Sequence, residues 1–177
     1  MTNSIRPVET ERGRTRGSGS LAVLTLAVMI TASACGSGTS HVDLSGAHTG
    51  VRHSYSVFFN LASGRASKIQ TVVQDGPSLQ TALEQAVDSS LSRVATGARV
   101  DKVTVFSGLR CTAQHLSSPC AAVTYAVLGP GTAPLYSGQQ GYAVYQEGTW
   151  LVSKSTVCAF LTLLYKAQAR AGSPPGC

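Results

Sequence analysis

The hydrophobic period of this chain changes once, at Gly97, and that change limits the fold more than any single motif does. Before it, apolar residues recur at helical spacing. Val51, Tyr55, Phe58, Phe59 and Ala62 predict a first helix ending near Ser63-Gly64. Ile69, Val72 and Val73 predict a short second helix over residues 66–74. Asp75-Gly76-Pro77 is punctuation, with the proline suited to the first turn of a third helix. Leu79, Leu83, Ala86, Val87, Leu91 and Val94 mark the apolar face of that helix, which Gly97 stops.

After Gly97 the period moves towards two, as in a half-buried strand. Val103 and Val105 alternate with Lys102 and Thr104 in a strand running to about Arg110. Residues 121–128 put Val123, Tyr125 and Val127 on one face, and a turn follows at 129–134. Residues 135–146 set Tyr142 and Val144 opposite Ala143 and Tyr145. Glu147-Gly148 makes a hairpin turn into 149–154, where Trp150 and Val152 share a face. Ser155 or Thr156 is the expected cap of a last helix over 157–169, with Cys158, Leu161 and Leu164 inward. The Gly/Pro-rich tail at 171–177 needs tying down. The expected class is α+β: N-terminal helices packed on a curved four-stranded antiparallel sheet, with a C-terminal helix. Residues 44–177 form one domain, and no internal repeat divides it.

Residues 21–34 are apolar with small residues at the exit, and Arg12, Arg14 and Arg16 precede them. That is the pattern of an export signal. The run is short for a membrane span, which needs about 20 residues. Ala-Ser-Ala-Cys-Gly at its end resembles the lipobox of bacterial lipoproteins, which implies acylation (palmitate-type chains) at Cys35 and a mature N-terminus there. The alternative is an ordinary secretory signal cut near Ala34. Residues 1–34 are then signal peptide and 35–43 a lipidated tether, in which 36–40 are Gly, Ser and Thr only. The expected location is the extracytoplasmic side of the cell membrane, held by the lipid.

Beyond residue 34 the chain carries ten Lys and Arg against six Asp and Glu, a net charge of +4. These are scattered, so no nucleic-acid footprint is present. If Cys35 takes the lipid, Cys111, Cys120, Cys158 and Cys177 remain, an even set in an oxidising compartment. Four cysteines allow three connectivities. The expected pairing is local, Cys111 with Cys120 and Cys158 with Cys177, against an alternative that joins Cys120 to Cys158.

Two blocks of sequence carry a resemblance. The first is Tyr55-Ser56-Val57-Phe58-Phe59-Asn60, then Lys68-Ile69 and Gln74-Asp75-Gly76; the second is Trp150-Leu151-Val152-Ser153 with Thr156 and Cys158. The element order resembles the cone-shaped fold of nuclear transport factor two. Over most of residues 51–177 the chain is similar to small exported lipoproteins and low-molecular-weight antigens of mycobacteria and their kin. The resemblance implies a fold and no particular reaction. The segment between Cys111 and Cys120 is outside the pattern.

Motifs of catalysis are missing: there is no Gly-x-Ser-x-Gly elbow, no Ser-x-x-Lys at a helix start and no phosphate-cradling glycine loop. His41, Asp43, His48 and His53 cluster near the domain start, but His48 and His53 are five apart rather than at the i, i+4 spacing of a zinc pair. They read as solvated residues, as does His115, and no metal or cofactor is expected. Asp75, Asp88, Asp101 and Tyr125 are the only acid or base candidates; Asp75 reads as a helix cap, and Asp88 and Asp101 fall on polar sides. Phe58, Phe59, Tyr125, Tyr142 and Trp150 are the candidate lining of an interior hollow, with Leu79, Leu83, Val123 and Val144. The expected function is a membrane-anchored, non-catalytic binding domain in the cell envelope, holding a small apolar ligand or an envelope protein. The alternative is a small enzyme with a buried acid in that hollow.

Overall fold

The computed structural model describes residues 45–62 and 64–177. The expectations for the signal peptide, Cys35, the tether, His41 and Asp43 lie outside the described residues. Helix α1 (Ala47–Phe59) buries Val51, Ser54, Tyr55, Phe58 and Phe59 along one side. It starts one turn before the apolar pattern: Ala47 is already buried, and at Gly50 a Cβ would stand 2.8 Å from the Trp150 ring. Ala62 lies beyond the helix and is exposed, with its N–H on the Ala95 carbonyl at 3.0 Å.

The second helix is shorter than its apolar residues suggest. Helix α2 (Ala66–Ile69) runs into a single 3₁₀ turn, Gln70–Val72. Val73 then forms a parallel bridge with Val152, and the Gln74 N–H donates to the Val152 carbonyl at 2.9 Å. Those sheet-like bonds end the helical run. The third helix is also divided. After a 3₁₀ turn at Gly76–Leu79, α3 covers only Gln80–Val87, and a separate 3₁₀ turn spans Ser90–Arg93. Ser89 and Ser92 are buried, and their hydroxyls donate to the carbonyls of Ala86 and Ser89, each at 2.6 Å. Serine bonding back to its own backbone in this way competes with helix continuation.

Strands β1 (Gly97–Phe106), β2 (Cys120–Leu128), β3 (Pro134–Gln146) and β4 (Thr149–Val152) pair antiparallel in chain order. Register shifts between Val100 and Lys102 and on both sides of Val127 mark irregular pairing, which bends strands and increases twist. β1 stops at Phe106 rather than Arg110, because Gly108 (φ 58°) turns the chain into the one-turn helix α4 (Leu109–Thr112). Glu147 and Gly148 both have positive φ, as a two-residue hairpin of matching twist requires.

The inner face of the sheet presents Val123, Tyr125, Val127, Ala143, Trp150 and Val152 to the main core. Tyr142 and Val144 are on the other face, which corrects their expected inward position. There they join Cys111, Leu116 and Cys120 in a second small core under residues 107–119. Tyr142 fixes that cover by donating its phenol hydrogen to Gln114 Oε1 at 3.0 Å. Gly141 is the inward residue instead, since a Cβ there would lie 2.7 Å from the Tyr55 hydroxyl. Over residues 141–145 both faces of β3 are covered, whereas the earlier part of the strand is largely exposed.

Helix α5 (Lys154–Ala167) begins three residues before its expected start. Its cap is Ser153, whose hydroxyl accepts from the Thr156 N–H at 3.3 Å. The disulfides are Cys111–Cys120 and Cys158–Cys177, both local, with Cα–Cα separations of 5.8 and 5.5 Å. The second pins the tail: Pro174 is buried, and a Cβ on Gly176 would meet the Ser78 carbonyl oxygen at 2.1 Å.

Gly141→Ala forces a methyl between the Tyr55 hydroxyl and Thr156, and overpacking of this kind costs about 1–3 kcal/mol. Urea unfolding should show a loss in that range, with an unchanged m-value. An unaltered midpoint would mean that α1 and α5 do not press on β3 at this point.

Candidate functional site

β3 has thirteen residues and β4 only four, so most of β3 outruns its neighbour. Where β4 stops, the backbone of Tyr142 is taken up by other elements. Its N–H donates to Thr156 Oγ1 at 2.7 Å, and its carbonyl accepts from the Ser153 N–H at 2.9 Å and the Tyr55 hydroxyl at 3.0 Å. These bonds join the start of α5, the sheet and α1 at one place. Farther along, a cleft of about 270 Å³ opens between α5 and the inner face of the sheet. Tyr125 and Val127 of β2 and Tyr136, Gln139 and Gln140 of β3 form one wall. Thr156, Ala159, Phe160, Leu163, Leu164 and Ala167 of α5 form the other, and Leu91 closes one end. A second hollow of about 250 Å³ continues over Ser89, Ser90 and Val94, sharing Leu91, Tyr136, Leu164 and Ala167.

An aromatic cluster makes the floor. Tyr125 meets Tyr55 edge-on with ring centroids 4.9 Å apart and lies 5.0 Å from Phe59. Phe160 stands edge-on to Phe58 and Phe59 at 5.7 and 5.1 Å. Such offset and edge contacts suit the ring quadrupoles. The rim is open: Leu163 is 61% exposed and Tyr136 56%. Tyr125 itself is only 5% exposed, yet its hydroxyl has no hydrogen-bond partner among the described residues. Burial pushes its pKa up to about 12. Tyr55 is also harder to ionise, first by burial and then by its nearness to Tyr125, with a hydrogen bond from Thr156 opposing. No charged side chain lines either hollow among the described residues.

Of the five aromatic candidates, only Tyr125 lines this cleft. Phe58 and Phe59 are fully buried beneath it, because α1 is covered by the sheet on one side and by Phe160 of α5 on the other. Leu79, Leu83 and Val123 are likewise closed core. Trp150 is buried away from the cleft, against Gly50 and 5.4 Å from the Tyr145 ring. Tyr142 and Val144 face the opposite side of the sheet. Sequence reasoning missed Phe160, Leu163 and Ala167, although they form a second apolar stripe on α5 at helical spacing, beside Val157, Leu161 and Leu164.

Of the acid or base candidates, the three aspartates lie outside the cleft. Asp75 makes no side-chain cap; its Oδ2 lies 2.6 Å from Lys154 Nζ and accepts from the Ser78 hydroxyl at 2.8 Å. Those two hydrogen bonds, Lys154 first, hold its carboxyl below the ordinary range. Asp88 is exposed, and Asp101 is exposed and paired with Arg99 Nε at 2.8 Å. His48, His53 and His115 are exposed, and among the described residues no three His, Cys, Asp or Glu side chains group as a metal site.

Residues 47–168 match the family described as low molecular weight antigen MTB12, C-terminal domain. The chain belongs to this family. No curated protein matches the chain, and no solved structure does. The MTB12 match begins with α1 and ends just beyond α5, so the cleft is made wholly of residues within the family domain. Cys177, with the rest of the pinned tail, follows it. The family description names an antigen and no reaction.

Burial of Tyr125 has a consequence for alkaline stability. A group that loses its proton near pH 10 when unfolded and near 12 when folded favours the unfolded chain as pH rises between those values. Its contribution is complete below pH 10 and lost through about 12. Tyr125→Phe should therefore lose less stability than the parent chain between pH 10 and 12, read by urea unfolding at each pH. Parallel pH profiles would show that Tyr125 is no harder to ionise in the fold than outside it.

Proposed function

We propose that this protein is a lipid-anchored, non-catalytic binding domain on the extracytoplasmic side of the cell membrane, and that the cleft between α5 and the sheet holds a small, mostly apolar ligand. The observation that supports ligand binding is the Tyr125 hydroxyl: on a nearly buried residue, without a hydrogen-bond partner among the described residues, and opening onto a mostly apolar cleft. Water in the open cleft can satisfy that hydroxyl, and a ligand that covers it must hydrogen-bond to it or leave it unsatisfied. Apolar clefts with a few polar groups are the usual form of small-molecule sites. The alternative of an enzyme finds less support. General acid–base catalysis works best with a group whose pKa is near the operating pH, and Tyr125 is shifted away from it. No carboxylate or imidazole lines the cleft among the described residues.

The anchor is assigned to Cys35 on the lipobox resemblance. No helix among the described residues is long and apolar enough to cross a membrane. The ten steps from Cys35 to Ser45 reach at most about 35 Å, so a lipid on Cys35 keeps the domain close to the membrane surface. Stable attachment by lipid needs more than one chain, as one myristoyl group binds only marginally.

Cys35→Ala should release the domain from the membrane fraction or leave it as an untrimmed precursor. A correctly trimmed variant that still sediments with membranes contradicts the anchor. For the cleft, an uncharged polarity-sensitive dye should gain fluorescence on binding the purified protein. Ala159→Trp, which places an indole in the cleft from an exposed helix position, should weaken that binding at least about ten-fold, equivalent to 1.4 kcal/mol. Equal binding by both proteins would place the dye elsewhere and count against the cleft.

A further inference from the structure

We infer that the cleft selects its ligand by the absence of charge: it takes a single-chain amphipath with an uncharged hydroxyl, ester or amide head that hydrogen-bonds to Tyr125, and rejects carboxylate, phosphate and ammonium heads. This rests on the binding reading above and adds the chemical class of the ligand.

Three observations carry it. First, the walls are neutral along both hollows among the described residues. Of the charged groups on α5 and just after it, Lys154 pairs with Asp75, the Arg170 guanidinium sits over the Tyr165 ring at 5.4 Å, and the exposed Lys166 is outside the lining of both hollows. An ion carried into such a site loses its water and gains no counter-charge, which costs far more than burying a hydroxyl. Second, the polar groups present suit a neutral head. The Tyr125 phenol donates one hydrogen and accepts another, whereas a carboxylate has about four lone-pair sites to satisfy. Gln139 is directly opposite Tyr125 across the strand pair, and its Nε2 gives one hydrogen to the Ser137 carbonyl at 3.2 Å. Its carbonyl oxygen and its second N–H remain as an uncharged acceptor and donor. Third, the two hollows meet at Leu91, Tyr136, Leu164 and Ala167. A head at Tyr125 therefore leaves its chain the apolar surface of Leu91, Leu164 and Ala167, beyond which the second hollow adds Val94 beside the uncharged Ser89, Ser90 and Gln168.

Ligands of matched chain length test this by displacing the uncharged dye from purified protein carrying Cys35→Ser, so that no attached acyl chain competes. The probes are dodecanoyl glycerol, dodecanoate and dodecyltrimethylammonium, each below its micelle concentration. At pH 7.5 the glycerol ester should displace the dye at a concentration at least about ten-fold lower than either ion. Below about pH 4, where a carboxylic acid is protonated, dodecanoic acid should approach the ester. Tyr125→Phe should weaken the ester by about three- to ten-fold, the size of one neutral hydrogen bond, and weaken the dye less. Dodecanoate equal to or tighter than the ester at pH 7.5 overturns the inference, as does an ester affinity indifferent to Tyr125→Phe. In either case dye binding and its loss in Ala159→Trp would leave the broader binding reading in place. A protein that binds no dye and no probe contradicts both.

Discussion

The early end of β4 governs the architecture around the cleft. A strand of thirteen residues cannot be completed by a neighbour of four, and the chain leaves the sheet at Ser153. Backbone polar groups buried at that break must find other partners. Ser153, Thr156 and Tyr55 supply them at Tyr142, and in doing so they fix where α5 starts and how α1 lies over the sheet. Gly141 belongs to the same arrangement, because any larger residue would separate the three elements. The cleft follows from this junction. α5 is held against the sheet at its first turn, while its later turns face a part of β3 that has no fourth strand beside it.

The aromatic cluster under the cleft closes the core and forms the floor of the proposed binding site. Phe58, Phe59 and Phe160 close the core between α1 and α5. Tyr125 belongs to the same packing through Tyr55 and Phe59, yet it carries a hydroxyl that the fold does not use. A phenylalanine at 125 would fill nearly the same volume without that hydroxyl, which opens onto the cleft and is the group the proposed ligand would use. The second core on the outer face, closed by Cys111–Cys120, covers the sheet on the side away from the helices.

Much of the fold was legible in the sequence because the period of the apolar residues changes at Gly97. The α+β class, the meander, the hairpin at Glu147-Gly148 and the C-terminal helix all follow from that pattern. The face of β3 was not legible. Tyr142 and Val144 alternate with Ala143 and Tyr145, and alternation shows two faces without showing which one the helices cover. The extra cover from residues 107–119 buries both. Helix lengths were also misread at Ser89, where side-chain hydrogen bonds to local carbonyls break a continuous apolar stripe. Of the site, Tyr125 could be named from its place on a central strand, but the opposing wall could not. Phe160, Leu163 and Ala167 lie beside the core stripe of α5, and only the short β4 leaves that second stripe facing open space. The MTB12 family match fixes the kinship of the domain and names no ligand.

The central claim is that a neutral amphipath occupies the cleft in the cell envelope. Its most direct test is intact-mass analysis of the protein purified gently from its own membranes, followed by solvent extraction and identification of what is released. The account predicts a stoichiometric, non-covalent single-chain lipid with an uncharged head. Protein that carries no small molecule, or one that carries a charged lipid, would contradict it.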